Sequence, residues 1–310
     1  MLVITAILPV FFVIMTGYAI KKTFGFTENF WKQMDKLIFN VLLPLLLFKT
    51  LAEAPLELEM VKVGLIVFVA ISVNAALCFL IRRIKIWRSI TPVAWPAFTS
   101  IFQGTVRVNF YIALSIATIM FGDTGIQIMS FILLFLIPSS VVYSIIVLQK
   151  YGDMSESQGR KNIFAVLFKN PVIISTLAGI ITSLFIDDLP LVIGETLNIF
   201  GRATLPLALL GIGGSIAFTG IKPLIKPALI ASFLRLIIGP LVGIAIAANV
   251  TLSPAETMCL LLVLAVPSAA SSMSFATQMG GDTKLMSAIL TIQTVLSLVI
   301  LSLFTYLIQM

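Results

Sequence analysis

The 310-residue chain is 59% hydrophobic and only 11% charged, with a net charge of +7. A soluble domain carries about a quarter charged residues, so the composition excludes a soluble globular protein and predicts an all-α polytopic membrane protein. The chain has no histidine, which excludes His-based triads and HExxH zinc sites. Cys78 and Cys259 both lie within apolar runs. We therefore expect no enzyme activity, no catalytic residue, no metal and no other cofactor.

Ten apolar runs are predicted as membrane-spanning helices, because one helical crossing needs roughly 20 apolar residues. In chain order the predicted spans are 2–20, 37–53, 62–81, 97–120, 125–148, 164–186, 190–218, 227–249, 255–278 and 285–309. Lys21 and Lys22 follow the first run instead of preceding it. We therefore expect this span to be retained and not cleaved as a signal peptide.

The basic residues of the predicted loops fall mainly on one side of the membrane. Fourteen Lys and Arg residues belong to one set of alternate loops, and only Lys49 and Lys62 belong to the other. Short cytoplasmic loops are enriched in Lys and Arg, so both termini are predicted on the non-cytoplasmic side of the cell inner membrane. This scattered distribution explains the net charge without a nucleic-acid partner. The chain is expected to be surrounded by the lipid bilayer.

The two halves of the chain share an internal repeat, separated by a polar stretch at 150–163 that is predicted as a cytoplasmic linker. Matching residues at an offset of 162 are Pro9 and Pro171, Gly17 and Gly179, and Pro44 and Pro206. At an offset of 159, ATIMFGDT (117–124) matches ATQMGGDT (276–283). Chance similarity among small residues is the alternative. Because residues 1–149 and 164–310 each hold five spans, an odd number, the second repeat is predicted to be inverted, as in many secondary transporters.

Spans 4 and 9 are predicted to be interrupted near mid-membrane. Their unusual residues are Gln103, Gly104, Arg107 and Asn109 in span 4, and Pro267, Ser268, Ser271 and Ser272 in span 9. Pro267 removes a backbone donor and disfavours helix at the preceding residue, although a mere kink is the alternative. The 159 offset matches Asn109 with Ser268, and both are good N-cap residues. Helix N-termini favour anions, so we predict these eight residues as the substrate-binding site.

Arg107 requires a compensating interaction, since an Arg at the bilayer centre costs roughly 2.5 to 3.5 kcal/mol. Glu195 is the only carboxylate predicted deep within a span. It lies seven residues from Arg202, on the same helix face, and is expected to pair with Arg202 or with Arg235. Three predicted buried arginines for one acid favour an anion pathway. The alternative is that the arginines donate to backbone carbonyls.

At these residues the chain resembles the auxin efflux carrier family of bacterial and plant permeases. The resemblance covers essentially the whole chain and rests on RVNFYIALSIATIMFG, NPVIISTLAGI, TLPLALLGIGGSI and PSAASSMSFATQMGGDTKLMSAILTIQTVLS. It implies ten helices in two inverted repeats, crossing of broken helices 4 and 9, and a homodimer. It also implies a scaffold of helices 1, 2, 6 and 7 and a transport domain of helices 3–5 and 8–10. Plant members have a proline at both crossings, whereas span 4 here has none.

The predicted function is a permease for small organic anions such as mono- or dicarboxylates, working by alternating access of the elevator type. One alternative is a sodium- or proton-coupled symporter with the architecture of the bile acid transporters. Sodium prefers several oxygen ligands, usually with a carboxylate nearby, whereas spans 4 and 9 offer amides and hydroxyls at mid-membrane. A receptor that binds a ligand without moving it is a further alternative, and a flux assay distinguishes it.

Overall fold

The computed structural model describes residues 2–53, 60–83, 94–153, 162–186, 188–216 and 220–309. Within these ranges the chain forms helices joined by short connections, and no strand occurs among them. The all-α prediction is therefore confirmed for this part of the chain.

The helices are numbered here in chain order. They are α1 (Leu2–Phe24), α2 (Glu28–Leu37), α3 (Leu43–Ala52), α4 (Val61–Arg83), α5 (Trp95–Val106), α6 (Phe110–Tyr151), α7 (Ile163–Phe168), α8 (Pro171–Ser183), α9 (Leu191–Ser215), α10 (Ile225–Phe233), α11 (Gly239–Ala247), α12 (Pro254–Ala265), α13 (Ser271–Gln278) and α14 (Thr283–Gln309). Wider π-helical turns at Ile38–Leu42 and Leu234–Ile238 join α2 to α3 and α10 to α11.

Six helical stretches in the described ranges are long and apolar enough to cross a membrane. They are Thr5–Phe24, Val61–Arg83, Trp95–Tyr151, Leu191–Ser215, Lys222–Ala247 and Thr283–Phe304. The 57-residue stretch Trp95–Tyr151 is interrupted between α5 and α6, and α6 itself bends at Gly122, whose φ of 57° is accessible to glycine. These helices are typical of a multi-pass membrane protein.

The helix leading into the second predicted span begins earlier than the apolar pattern indicates. The prediction starts at residue 37, whereas α2 starts at Glu28 and continues through the π-helical turn into α3. Thr27 caps α2 by accepting a hydrogen bond from the Phe30 amide at 3.3 Å. Helix α2 is amphipathic, with polar and apolar residues on opposite faces, so a search for continuous apolar residues overlooks it.

The sixth predicted span, 164–186, is not one continuous helix. It contains the short α7 and then α8, which begins at Pro171. Asn170 caps α8, accepting from the amides of Val172 and Ile173 at 3.0 and 3.3 Å. Proline is favoured at the first position of a helix because its missing amide has no helical partner there. Pro171 therefore marks a helix start within an apolar run.

The chain forms two compact units, and the first consists of Met1–Gly64, Tyr111–Leu134 and Phe164–Ser215. In this unit α1 packs along α9 and α3 packs along α8. The α1–α9 contact depends on small residues, because a side chain at Gly213 would overlap the backbone oxygen of Ile14. Trp31 lies against Gly214 in the same way, with its indole filling the space that a side chain would need. Close approach at small residues is the usual basis of helix packing in membranes.

The second unit consists of Leu65–Phe110, Phe135–Ile163 and Ile216–Met310. An aromatic cluster joins α4, α5 and the end of α6 within it. The rings of Trp95 and Tyr151 stack with centroids 4.1 Å apart, and the Arg82 guanidinium lies 3.8 Å from the Trp95 ring centroid. Such a pairing of Arg with aromatic rings is favourable at about 0.5 kcal/mol or more.

Each unit combines segments from before and after the predicted linker, so the halves 1–149 and 164–310 both contribute to both units. Of the linker itself, residues 154–161 lie outside the described ranges. Asp153, the second residue beyond α6, donates its backbone amide to the Gly280 carbonyl at 2.8 Å. Gly280 has a φ of 70° in the turn between α13 and α14.

Candidate functional site

The first helix break lies between α5 and α6. Helix α5 ends at Val106, and Arg107 is extended, with φ −82° and ψ 147°. Asn109 is also non-helical, and α6 begins at Phe110. The break predicted in span 4 is therefore present, although this segment contains no proline.

The second break lies between α12 and α13. Helix α12 ends at Ala265, Val266 is extended with φ −79° and ψ 158°, and α13 begins only at Ser271. Pro267 accounts for the break as predicted, because proline lacks an amide and restricts the residue before it to extended conformations.

The two breaks bond directly to each other. The Asn109 amide donates to the Pro267 carbonyl at 2.7 Å, and the Ser268 hydroxyl donates to the Gln103 carbonyl at 3.2 Å. Backbone groups that leave a helix must find other partners when they are buried. The break between α5 and α6, which has no proline, is therefore stabilised by hydrogen bonds to the break at Pro267.

The predicted capping roles of Asn109 and Ser268 are not observed. Asn109 occupies the N-cap position of α6, but its side chain makes no capping hydrogen bond. The N-cap of α13 is Ala270, so the prediction for Ser268 is wrong by two residues. Ser268 instead donates its amide to Gln293 Oε1 at 2.8 Å, and its hydroxyl lies 3.2 Å from that of Ser272. The long-range bonds to Gln293 and Gln103 hold Ser268 outside the helix.

Arg107 connects the first break to α13. It is only 6% exposed, and its Nη2 donates to the Ser271 hydroxyl at 2.7 Å. Its guanidinium lies 4.3 Å from the centroid of the Phe275 ring. Its Nε and Nη1 are buried and have no hydrogen-bond partner among the described residues. The guanidinium is thus held by Ser271 and Phe275, and two of its buried nitrogens have no hydrogen-bond partner in the described part of the chain.

Further polar atoms near Arg107 in the chain are buried and unpaired. Both side-chain amide atoms of Gln103 and the Oδ1 atom of Asn109 lack a partner in the described part of the chain. Native proteins bury few such groups, since each costs about 1 to 3 kcal/mol. Three such atoms fall within seven residues that also include the buried Arg107, so this segment is a candidate ligand site.

Comparison with known proteins identifies the family. The sequence profile described as membrane transport protein matches residues 2–305. The chain belongs to the membrane transport protein family. The resemblance to the auxin efflux carriers, which are included in this family, is thereby confirmed.

Curated members of this membrane transport protein family match over nearly their full length. An uncharacterized transporter of Methanocaldococcus jannaschii, MJ1031, is 24% identical over 311 residues, covering 98% of both chains. An uncharacterized transporter of Methanothermobacter thermautotrophicus is 26% identical over 318 residues, covering 96% of both.

All eight predicted site residues of this membrane transport protein lie in the second unit. Contacts described above link the segment of Gln103, Arg107 and Asn109 to that of Pro267, Ser268 and Ser271. Gly104 has a packing role, because a side chain there would come within 2.7 Å of Ile289 Cγ2. Gln293 also contacts both breaks and was not predicted. Its only sequence signal is an amide in the apolar run LTIQTVLS.

Arg235 donates to backbone carbonyls, which was the alternative considered for the buried arginines. It is fully buried in the π-helical turn before α11, and it donates from Nε to the Val266 carbonyl at 3.0 Å and from Nη2 to the Val263 carbonyl at 2.6 Å. These carbonyls belong to the C-terminal end of α12, where a cation is favourable. Arg235 therefore stabilises the helix end that precedes the second break.

The predicted pairing of Glu195 is wrong. Its carboxylate accepts from the Asn198 side chain at 3.3 Å, and Arg202 is exposed. The ion pair found among the described residues joins Lys49 and Glu53. Among the described residues the buried arginines are therefore Arg107 and Arg235, and Arg235 has its charge directed to a helix end.

Proposed function

We propose that the chain is a secondary transporter that carries small organic anions, such as mono- or dicarboxylates, across the cytoplasmic membrane. The observation that carries this proposal is the buried guanidinium of Arg107, which donates to Ser271 after the second break and has two nitrogens without a partner among the described residues. Arg107 is the only charged side chain in the segments 103–110 and 265–272. A guanidinium binds carboxylates through charge-assisted, often bidentate hydrogen bonds. An anionic group on the solute would satisfy these donors.

The proposed architecture is ten spans in two inverted repeats, with a homodimer as the assembly. The helices before the breaks support the repeat: α5 and α12 are both twelve residues long, and their bounds differ by 159 at each end. Arg107 and Val266, at the same offset, are both extended. Inverted repeats place broken helices at the solute site. In this arrangement the second unit, which holds both breaks, carries the solute in an elevator-type movement.

The proposed orientation places both termini outside and residues 150–163 in the cytoplasm, because Lys and Arg are concentrated on that side of the predicted topology. A reporter enzyme that is active only outside the membrane is expected to be inactive when fused at Gly152 and active when fused after α14. The opposite pattern contradicts this orientation.

The transport proposal predicts that voltage alone drives efflux of a monoanion. One elementary charge moved through 100 mV corresponds to about 2.3 kcal/mol, or roughly a fiftyfold concentration ratio. In proteoliposomes with sodium absent and the proton gradient collapsed, efflux of labelled acetate, lactate or benzoate is expected to follow an imposed potential. Arg107→Ala protein at the same density provides the control.

Other results of the same assay discriminate the alternatives. Strict dependence on sodium or on a proton gradient would identify a coupled symporter. Binding of a carboxylate without any flux would identify a receptor. Equal leakage from wild-type and Arg107→Ala vesicles would show that the two breaks are not part of the transport path.

A further inference from the structure

Gln293, in the middle of α14, bridges the two helix breaks with a single side chain. It is fully buried. Its Oε1 accepts from the Ser268 amide at 2.8 Å, and its Nε2 donates to the Gly104 carbonyl at 2.9 Å. The orientation of the amide follows from its partners, because a backbone N–H can only donate and a carbonyl can only accept.

The two partners of Gln293 are backbone groups that the breaks leave without helical bonds. In a continuous helix the Gly104 carbonyl would accept from the amide four residues later, but α5 ends at Val106. The Ser268 amide follows Pro267 and precedes α13, so it also lies outside a helix. A carboxamide supplies one acceptor and one donor together. Gln293 therefore replaces one missing bond at each break.

These bonds also set the position of Arg107. Gly104 lies three residues before Arg107, and Ser268 lies three residues before Ser271, whose hydroxyl accepts from the guanidinium. Ile289, one turn before Gln293, packs against the bare backbone of Gly104. This contact keeps α14 close enough to α5 for the Gln293 side chain to reach the Gly104 carbonyl.

We propose that Gln293 is a positioning residue that fixes the two breaks relative to each other and so holds Arg107 in its binding geometry. The inference rests on the proposed function for the role of Arg107. The Gln293 clamp, meaning its two hydrogen bonds to the Ser268 amide and the Gly104 carbonyl, does not depend on that function. Gln293 does not need to touch the solute. Its loss should therefore alter the exchange of the Ser268 amide as well as the affinity for an anion.

The first test is hydrogen exchange of the peptide around Ser268 in purified full-length protein. In Gln293→Leu, exchange at Ser268 is expected to be at least tenfold faster, because its acceptor is lost. In Gln293→Glu the acceptor remains, so Ser268 stays protected, while the donor to Gly104 is lost. Thr294→Val is the matched control, since the Thr294 hydroxyl donates only to Leu290 within α14. Unchanged exchange in Gln293→Leu would overturn the clamp.

The second test measures binding of the labelled carboxylate that the wild type transports fastest, together with thermal stability. Gln293→Leu and Gln293→Met are each expected to bind at least tenfold more weakly, with wild-type affinity in Thr294→Val. Met keeps the length of the side chain without the negative charge that Glu would place near the anion, so it provides a second variant if Leu does not fold. Lower stability with wild-type affinity would make Gln293 merely structural and overturn the positioning role. A wild type that transports none of the carboxylates contradicts the proposed function, whereas the exchange result still decides the clamp.

Discussion

Replacing Arg107 with Ala is expected to weaken binding of a transported carboxylate by about ten- to a hundredfold. A hydrogen bond to a charged group contributes about 1.5 to 3 kcal/mol, and Arg107 has two buried nitrogens that no described residue satisfies. The substitution also relieves the cost of burying an unpaired charge. Folding stability should therefore fall less than the affinity does. Isothermal binding and thermal unfolding of the same purified variant measure both quantities.

Two other variants make the Arg107 result specific. Arg202→Ala removes the same charge from an exposed position in the first unit and should leave affinity unchanged. Asn109→Ala removes a carboxamide whose NH2 group can donate to a carboxylate, so it should weaken binding by about 1 kcal/mol, or about fivefold. It should do so without loss of stability, because the buried Oδ1 atom has no partner among the described residues. Wild-type affinity in Arg107→Ala, accompanied by poor folding, would show that the arginine has only a structural role.

Replacing Gly213 with Ala is expected to destabilise the first unit by about 3 kcal/mol, at or above the upper end for overpacking substitutions. A methyl group at this position would overlap the Ile14 carbonyl oxygen and approach the Tyr18 amide at 2.8 Å. Both obstacles are backbone atoms, so no rotamer change relieves the overlap and α1 must move away from α9. Thermal unfolding in detergent should show a clearly lowered midpoint.

Gly211 provides the matched control on the same helix. A methyl group there would lie 3.2 Å from the Met34 Cε atom, the mobile end of a flexible side chain. Gly211→Ala should therefore change stability little, and the higher helix propensity of Ala offsets part of any cost. Equal effects of the two substitutions would contradict the close α1–α9 contact.

The positions of the helix breaks could be predicted because local chemistry determines much of them. Pro267 restricts Val266 directly, and the repeat carries that expectation to Arg107 and Asn109. Proline chemistry cannot explain the first break, because residues 107–109 contain no proline. This break depends on the hydrogen bond from the Asn109 amide to the Pro267 carbonyl, 158 residues away. The predicted repeat was informative because α5 and α12 end at positions 159 residues apart, although only α12 is followed by a proline.

The contacts made by the side chains could not be predicted, because they depend on distant partners. Ser268 has the residue type of an N-cap, but Gln293 and Gln103 bind it outside the helix. Pairing with Glu195 and donation to backbone carbonyls were both considered for Arg235, and its position in a π-helical turn directs it to two carbonyls. Gln293 itself resembled any polar residue in an apolar helix. Periodicity identifies buried positions but not the elements that meet there.

Two packed tryptophans, one in each unit, provide a separate fluorescence signal for each unit. Trp31 lies over Gly214 in the first unit, and Trp95 stacks on Tyr151 beneath Arg82 in the second. The remaining tryptophan, Trp87, is outside the described ranges and can be replaced by Phe. Indole emission depends strongly on the surroundings of the ring, so single-tryptophan versions would report on either unit separately. Denaturation followed by fluorescence can therefore distinguish loss of one unit from loss of both, without an attached dye.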